Sequence, residues 1–338
     1  MNRTAHITIA CDVDPDFNPE YRRVPRKEDP ELNWRGITSG IPFLRQRLKE
    51  TAFASKYGQP PLTWLLRSDR QIYELYGAYD FCSRQFEEIW KREREQGSEI
   101  GWHPHLHRWD EVARRWAPSL QKGDDLGLLL ECLTALRRHT EIRAVRMGWD
   151  YQSNSLMQFL DSQGMLVDAS AVPGCVQRGN WVYDWRSTPR FPYFPSEFDY
   201  RRPAKTDEES LNIVEMPVLV RSLKLPLRLI RHCLRNLRAI RNPHFAFTDW
   251  MSARWQGVTI TGRGRLFREA AHQSFASIPE REDIFITTFF HAAELLSSKL
   301  LGNFLHNLQT LNHLCDELGY TISLATLSDA ASTFKNIR

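Results

Sequence analysis

The sequence predicts an α/β fold, with strands and helices alternating around a parallel sheet in the manner of a strand–helix barrel. Three observations predict it. Short apolar, β-rich runs recur along the chain and alternate with stretches of helical spacing, which is the pattern of a parallel sheet. Polar residues able to do chemistry stand just past strand ends, after 6–10, 98–102, 144–147 and 283–290. In strand–helix barrels that rim is where active sites are built. Finally, the 338 residues are 42% hydrophobic and 25% charged, which is globular composition with material for a large core. The length permits two domains, although barrels of this size often form one.

The elements follow in order. Residues 6–10 form a buried strand whose end carries Asp12, Asp14 and Asp16. Residues 41–48 have helical spacing, and 61–66 (PLTWLL) are a second strand after the turn signal Gly58-Gln59-Pro60. A long helix is predicted over 73–95, broken by Gly97, and 98–102 is a short strand running into HPHLH. Helices are expected over 110–116 and 127–139, with a polar loop at 121–125 between them. Strands at 144–147, 165–169, 212–215, 283–290 and 320–324 and helices at 154–163, 302–318 and 327–334 complete the reading.

Net charge is +4, too mild to predict nucleic-acid binding. No apolar run reaches the roughly 18 residues of a transmembrane helix, and the N-terminal apolar stretch is too short for a signal-peptide core. The six cysteines are scattered without a CxxC pair, so reduced thiols in a cytoplasmic protein are expected, and no structural zinc site.

The residues that carry chemistry start with HPHLH. If this segment turns as a helix, His103 and His107, four apart, lie on one face and can bind one ion, while His105 points elsewhere. Pro104 suits a first helical position. The plainer reading is a polar, histidine-rich loop. CDVDPD places carboxylates at a strand end, suitable as ligands or bases, or simply as an acidic turn. His291 follows an apolar strand and is either a general acid or a satisfied core histidine. Arg146 in VRMGWD and Asp184 in NWVYDWRS are each ambiguous alone: one could position a carboxylate and the other orient His291, or each could serve an ordinary salt bridge.

The ordered set carries more than any member. Strand-Asp-x-Asp, EIGWHPHLH, VRMGW, VDASAVPG with Asp184-Trp185, and FFHAAEL resemble, in order, the motifs of the polysaccharide deacetylase superfamily. Gly148 stands where that family has proline, Thr288 where it has leucine, and Val13 separates two aspartates that are usually adjacent. The resemblance implies an irregular (β/α) barrel of the glycoside hydrolase/deacetylase type, with about seven parallel strands in a single domain. It implies a divalent metal, Zn²⁺ by preference, on Asp14, His103 and His107. Asp12 is then the base, with Asp16 in reserve for either aspartate role. Arg146 pairs with Asp12, His291 protonates the leaving amine, and Asp184 orients His291. Trp185, Trp149 and Trp102 wall the acyl pocket or pack in the core. The implied reaction removes an N-acyl group, acetyl first, from a sugar or glycan. The alternatives are deformylation or another C–N cleavage on a lipid-linked sugar, or an inactive glycan-binding scaffold.

The stretch 223–241, LKLPLRLIRHCLRNLRAIR, has Arg228, Arg231, Arg235 and Arg238 on one helical stripe and leucines on another. A basic helical insertion at 219–245 is therefore expected. It either packs on the barrel or lies on an anionic membrane surface, which would place the protein peripherally at the inner membrane face.

Overall fold

The run RTAHITIACDV forms β1 (Arg3–Val13), the strand on which the sheet is assembled. The computed structural model describes residues 3–16, 34–110, 115–118, 124–177, 183–241, 255–276 and 283–338. After β1 come a π-helical turn at Gly36–Gly40, α1 (Ile41–Lys49), α2 (Ala52–Tyr57), β2 (Thr63–Arg67) and α3 (Arg70–Tyr76). Then follow α4 (Phe81–Gln85), α5 (Glu87–Glu95), β3 (Glu99–His103), β4 (His107–Asp110), β5 (Arg115–Pro118), α6 (Asp124–Arg137) and β6 (Ala144–Val145). The chain continues through α7 (Asn154–Ser162), β7 (Val167–Asp168), β8 (Val176–Gln177), β9 (Tyr183–Asp184), β10 (Val214–Glu215) and β11 (Val220–Ser222). It ends with α8 (Leu225–Arg241), β12 (Trp255–Gly257), α9 (Gly264–Ala276), β13 (Ile284–His291), α10 (Ser298–Leu318), β14 (Tyr320–Ala325) and α11 (Leu327–Asn336).

Seven strands run parallel in the order β10-β7-β6-β3-β2-β1-β13, and β14 pairs with the first half of β1. β1 thus serves three partners: β13 along one edge, and β14 then β2 along the other. A parallel bridge between Val218 and Thr287 joins the segment beyond β10 to β13, so the sheet curls round on itself. The predicted barrel is found, with its strands where the apolar runs lie.

β1 is buried from Ala5 to Val13, as a strand covered on both faces must be. Its side chains divide with period two. Ile7, Ile9 and Cys11 join the core shared with α1 and α10, whereas Ala10 joins Leu65, Ala144, Val167 and Phe285 against Leu327, Ala330 and Phe334 of α11.

Two expectations change. The helix over 73–95 is three helices. Gly77 takes a left-handed φ of 76° and ends α3, a conformation that glycine adopts without a Cβ clash. Phe86, at φ −116°, separates α4 from α5. The helix expected over 110–116 is not seen in its described residues: Asp110 and 115–116 belong to β4 and β5, which pair antiparallel with Trp109 opposite Trp116, and 111–114 lie outside the described residues. Two further antiparallel strand pairs, β8–β9 and β11–β12, and helix α9 are not among the elements expected from the sequence. Among the described residues no helix is long and apolar enough to cross a membrane.

Candidate metal centre and active site

Parallel pairing aligns the carboxyl ends of neighbouring strands, and the site is the direct result. Asp12 lies opposite His291 in the β1–β13 register, Arg67 lies opposite His103 in the β2–β3 register, and Arg146 follows β6 with its N–H bonded to the Trp102 carbonyl at 3.0 Å. Five side chains from adjacent strands therefore meet on one rim. They line a cavity of about 470 Å³ together with Asp14, His105, Trp149, Asp150, Phe289 and Glu294.

Asp14, His103 and His105 offer ligand atoms within 4.8 Å of one another, the one such cluster among the described residues. His103 Nδ1 lies 2.7 Å from the Arg146 carbonyl. A carbonyl only accepts, so Nδ1 carries the proton and Nε2 presents a lone pair. That lone pair faces His105 Nε2 at 3.0 Å, and Asp14 Oδ2 stands 3.8 Å from His103 Nε2 and Oδ1 3.7 Å from His105 Nε2. Two imidazole nitrogens and a carboxylate turned toward one point suit a divalent ion such as Zn²⁺. Electrostatics keep the groups in ligand form. Burial, the Arg67 guanidinium and His103 push the His105 imidazole well below its ordinary range, hence neutral. Burial would raise the Asp14 carboxyl, but the Arg67 guanidinium beside it holds it well below the usual carboxylate range.

The histidine expectation needs correction. HPHLH does not turn as a helix. His103 ends β3, residues 104–106 are in neither helix nor strand, and His107 begins β4. His105 turns in beside His103 rather than away, its Nε2 3.0 Å from His103 Nε2. The His107 side chain lies outside the described residues. His105 is held by its N–H on Asp69 Oδ2 at 3.2 Å, and Asp69 also accepts from Arg67 Nε at 2.8 Å and caps α3 through Ile72 N. Gly148 makes the room. It bonds Pro104 O through its N–H at 2.8 Å, and a Cβ there would lie 2.1 Å from the His105 ring.

Asp12 is 1% exposed. Oδ2 is ion-paired with Arg146, while Oδ1 is buried without a hydrogen-bond partner. Arg146 also bonds Asp150 at 2.6 Å and lies over the Phe289 ring, Cζ to centroid 3.9 Å. Trp149 and Asp150 both have left-handed φ values, 58° and 56°, which cost side-chain-bearing residues energy and must be held from outside. Arg146 holds Asp150 from one side. Trp185 holds it from the other, donating Nε1–H to the Asp150 carbonyl at 2.8 Å. The VDASAVPG segment adds Ser170, whose Oγ accepts from Met147 N at 2.8 Å and donates to Asp168. Asp16 lines the same cavity but lies outside the ligand cluster, with its Oδ1 accepting from Gly36 N at 2.9 Å.

His291 Nε2 stands 3.8 Å from Asp12 Oδ2, and Nδ1 is 3.4 Å from Glu294 Oε1. Burial opposes its charge, but the Glu294 hydrogen bond and the Asp12 carboxylate outweigh it and raise the imidazole to about 9. The expected contact with Asp184 is not made. Asp184 sits on the β8–β9 pair, off the main sheet, and is taken by Arg186 at 2.5 Å and Arg201 at 3.2 Å. Glu294 fills the orienting place, and the sequence signal for it is its position three residues after His291, a capping-box spacing that is realised here. Of the three tryptophans, Trp149 lines the cavity. Trp185 and Trp102 are fully buried, the latter bonded to Ser68 O at 3.0 Å, and belong to the walls behind it. Arg67, Asp69 and Asp150 carried no local sequence signal.

No family model matches the chain, and no curated protein matches it. Solved structures do. A protein from Parabacteroides distasonis assigned as a glycoside hydrolase/deacetylase has a TM-score of 0.61 at 12% identity, covering 99% of this chain and 72% of its own. A protein from Pseudomonas aeruginosa PAO1 assigned as a polysaccharide deacetylase gives 0.53 at 12%, covering 99% and 92%. One from Mycobacterium smegmatis with the same assignment gives 0.51 at 13%, covering 100% and 92%. At such identities the likeness is one of fold, and the fold of this chain is the glycoside hydrolase/deacetylase (β/α) barrel.

Proposed function

We propose that the chain is a metal-dependent hydrolase that removes an N-acyl group, acetyl by preference, from a sugar or glycan. One observation carries the reading: the Asp14–His103–His105 cluster opens into the same cavity as Asp12, whose one carboxylate oxygen is tied to Arg146 while the other is buried and unbonded. A divalent ion held by those three residues supplies Lewis acidity and lowers the pKa of water at the site. Asp12 Oδ1 then accepts the proton of the attacking water, while Arg146 holds the carboxylate in place. His291, protonated at neutral pH, faces Asp12 across the cavity and gives its proton to the departing amine. Glu294 keeps that imidazole charged and turned inward. Trp149 and Phe289 form apolar wall beside the reacting group, where an acyl methyl would lie.

A second reading has its own observation. Arg67 Nη1 lies 3.0 Å from Asp14 Oδ1, so a guanidinium already partners the proposed ligand. In that reading Arg67 stands in for the cation and the pocket binds glycan without turning it over. Release of acetate or formate from acylated sugars, free and lipid-linked, separates the two. The hydrolase reading predicts release by the wild-type chain and loss with His291→Ala. Absence of release, with metal-free protein retaining glycan binding, would establish the scaffold.

A further inference from the structure

Three parts of the candidate site hang on one short turn, residues 146–152. Arg146 at its start pairs with Asp12. Gly148, bonded through its N–H to Pro104 O at 2.8 Å, leaves the space that the His105 ring fills. Trp149 lines the cavity. The turn is strained at its centre, where Trp149 and Asp150 have left-handed φ values of 58° and 56°. It closes on itself through hydrogen bonds at the long end of the normal range, Asp150 N to Met147 O at 3.2 Å and Tyr151 N to Gly148 O at 3.3 Å.

Its two ends meet at one carboxylate. Asp168, fully buried on β7, accepts from Gln152 Nε2 at 2.7 Å through Oδ2. Through Oδ1 it accepts from Ser170 N at 3.1 Å and from the Ser170 hydroxyl, and that Oγ accepts in turn from Met147 N at 2.8 Å. Gln152 Oε1 accepts from Ser153 N at 3.0 Å, which fixes the amide end that faces Asp168. Strand register puts the carboxylate there. Asp168 lies opposite Val145, the residue before Arg146, on one side and opposite Glu215 on the other. Burial and the neighbouring Asp168 push the Glu215 carboxyl well above its usual range, so Glu215 is the protonated member of that pair. Neither Asp168 nor Gln152 lines the cavity.

We propose that Asp168 is a positioning residue of the candidate site: acting through Ser170 and Gln152, it clamps both ends of the strained turn and so fixes Arg146, Trp149 and the space beside Gly148 that holds His105. Its consequence for metal and turnover rests on the hydrolase reading, whereas the clamp itself does not.

Reversing one hydrogen bond tests this. In Asp168→Asn the amide oxygen still serves Ser170, but the amide N–H meets the Gln152 N–H and that half of the clamp breaks. Adding Gln152→Glu restores the bond with donor and acceptor exchanged, at unchanged net charge. Hydrogen exchange of the metal-free full chain, read over 146–153, should quicken about tenfold or more in Asp168→Asn, the loss of one charge-assisted hydrogen bond. Zn²⁺ affinity, measured by chelator competition, should weaken about tenfold. The kcat for acetate release from N-acetylglucosamine and its oligomers should fall about 10²-fold with KM little changed. The double variant should recover all three. Gln152→Met keeps the bonds between Asp168 and Ser170 and gives the same readings if Asp168→Asn does not fold. Unchanged exchange in a folded Asp168→Asn or Gln152→Met protein overturns the assignment. So does quickened exchange with Zn²⁺ affinity and kcat both unchanged, or a double variant that recovers nothing. A wild type that neither binds Zn²⁺ nor releases acetate rejects the hydrolase instead, and exchange then decides the clamp.

Discussion

The His105 imidazole occupies the space that a side chain on Gly148 would need: a Cβ there would lie 2.1 Å from ring Cδ2 and 2.5 Å from Nε2. The two residues come together because Gly148 N–H bonds the Pro104 carbonyl, immediately before His105. Gly148 is not in a left-handed conformation, so the constraint there is space. Gly148→Ala should therefore push the ring off the cluster. Overpacking of this kind costs about 1–3 kcal/mol, readable as a fall in Tm, and bound metal per chain should fall with it. Full metal content in a folded Gly148→Ala protein would separate His105 from the site.

His291 supplies a pH signature. Its imidazole is raised to about 9, chiefly by the hydrogen bond it donates to Glu294 and by the Asp12 carboxylate, acting against burial. A general acid works when protonated, so activity should hold through neutrality and fall as pH rises through about 9. Glu294→Gln removes a carboxylate partner, lowers the imidazole pKa, and should bring the alkaline limb to lower pH. An alkaline limb that stays in place in the Glu294→Gln profile would count against His291 as the acid.

Asp12 and His291 should differ from Arg45 in what they affect. Asp12→Asn and His291→Ala should each lower kcat by about 10²–10⁴-fold, the range for lost acid–base groups; His291→Ala should change Tm little, whereas Asp12→Asn also removes a carboxylate partner from the buried Arg146 and should lower Tm as well. Arg45, buried far from the rim residues in sequence and bonded to Glu93 at 2.5 Å and Ser98 at 2.7 Å, holds a fully enclosed carboxylate. Arg45→Met leaves Glu93 buried and unpaired, which costs about 3–5 kcal/mol. Denaturant unfolding should show that loss, while the folded fraction keeps its kcat.

Much of this was legible in sequence because it depends on local pattern. Apolar runs bounded by turns marked the strands. Parallel pairing then aligned their ends, so Asp12, His103, Arg146 and His291 met without further information. The failures have physical causes too. A helical period over HPHLH turns His105 away, whereas the chain leaves β3 at His103 without a helical turn and His105 comes in beside it; the His107 side chain lies outside the described residues. Asp184 lies on β9, off the main sheet, where two arginines close by take it. Glu294 was within reach, three residues after His291. Arg67 and Asp150 were not, since their partners Asp14 and Arg146 reach them only through strand register and a strained turn.

The central claim is that Asp14, His103 and His105 hold one divalent ion. Metal stoichiometry of purified protein, measured for the wild type and for His103→Ala, His105→Ala and His107→Ala, tests it most directly. The account predicts one ion per chain in the wild type and its loss in both the His103 and His105 variants. Full metal in His105→Ala together with loss in His107→Ala would contradict it and return the site to the four-residue spacing.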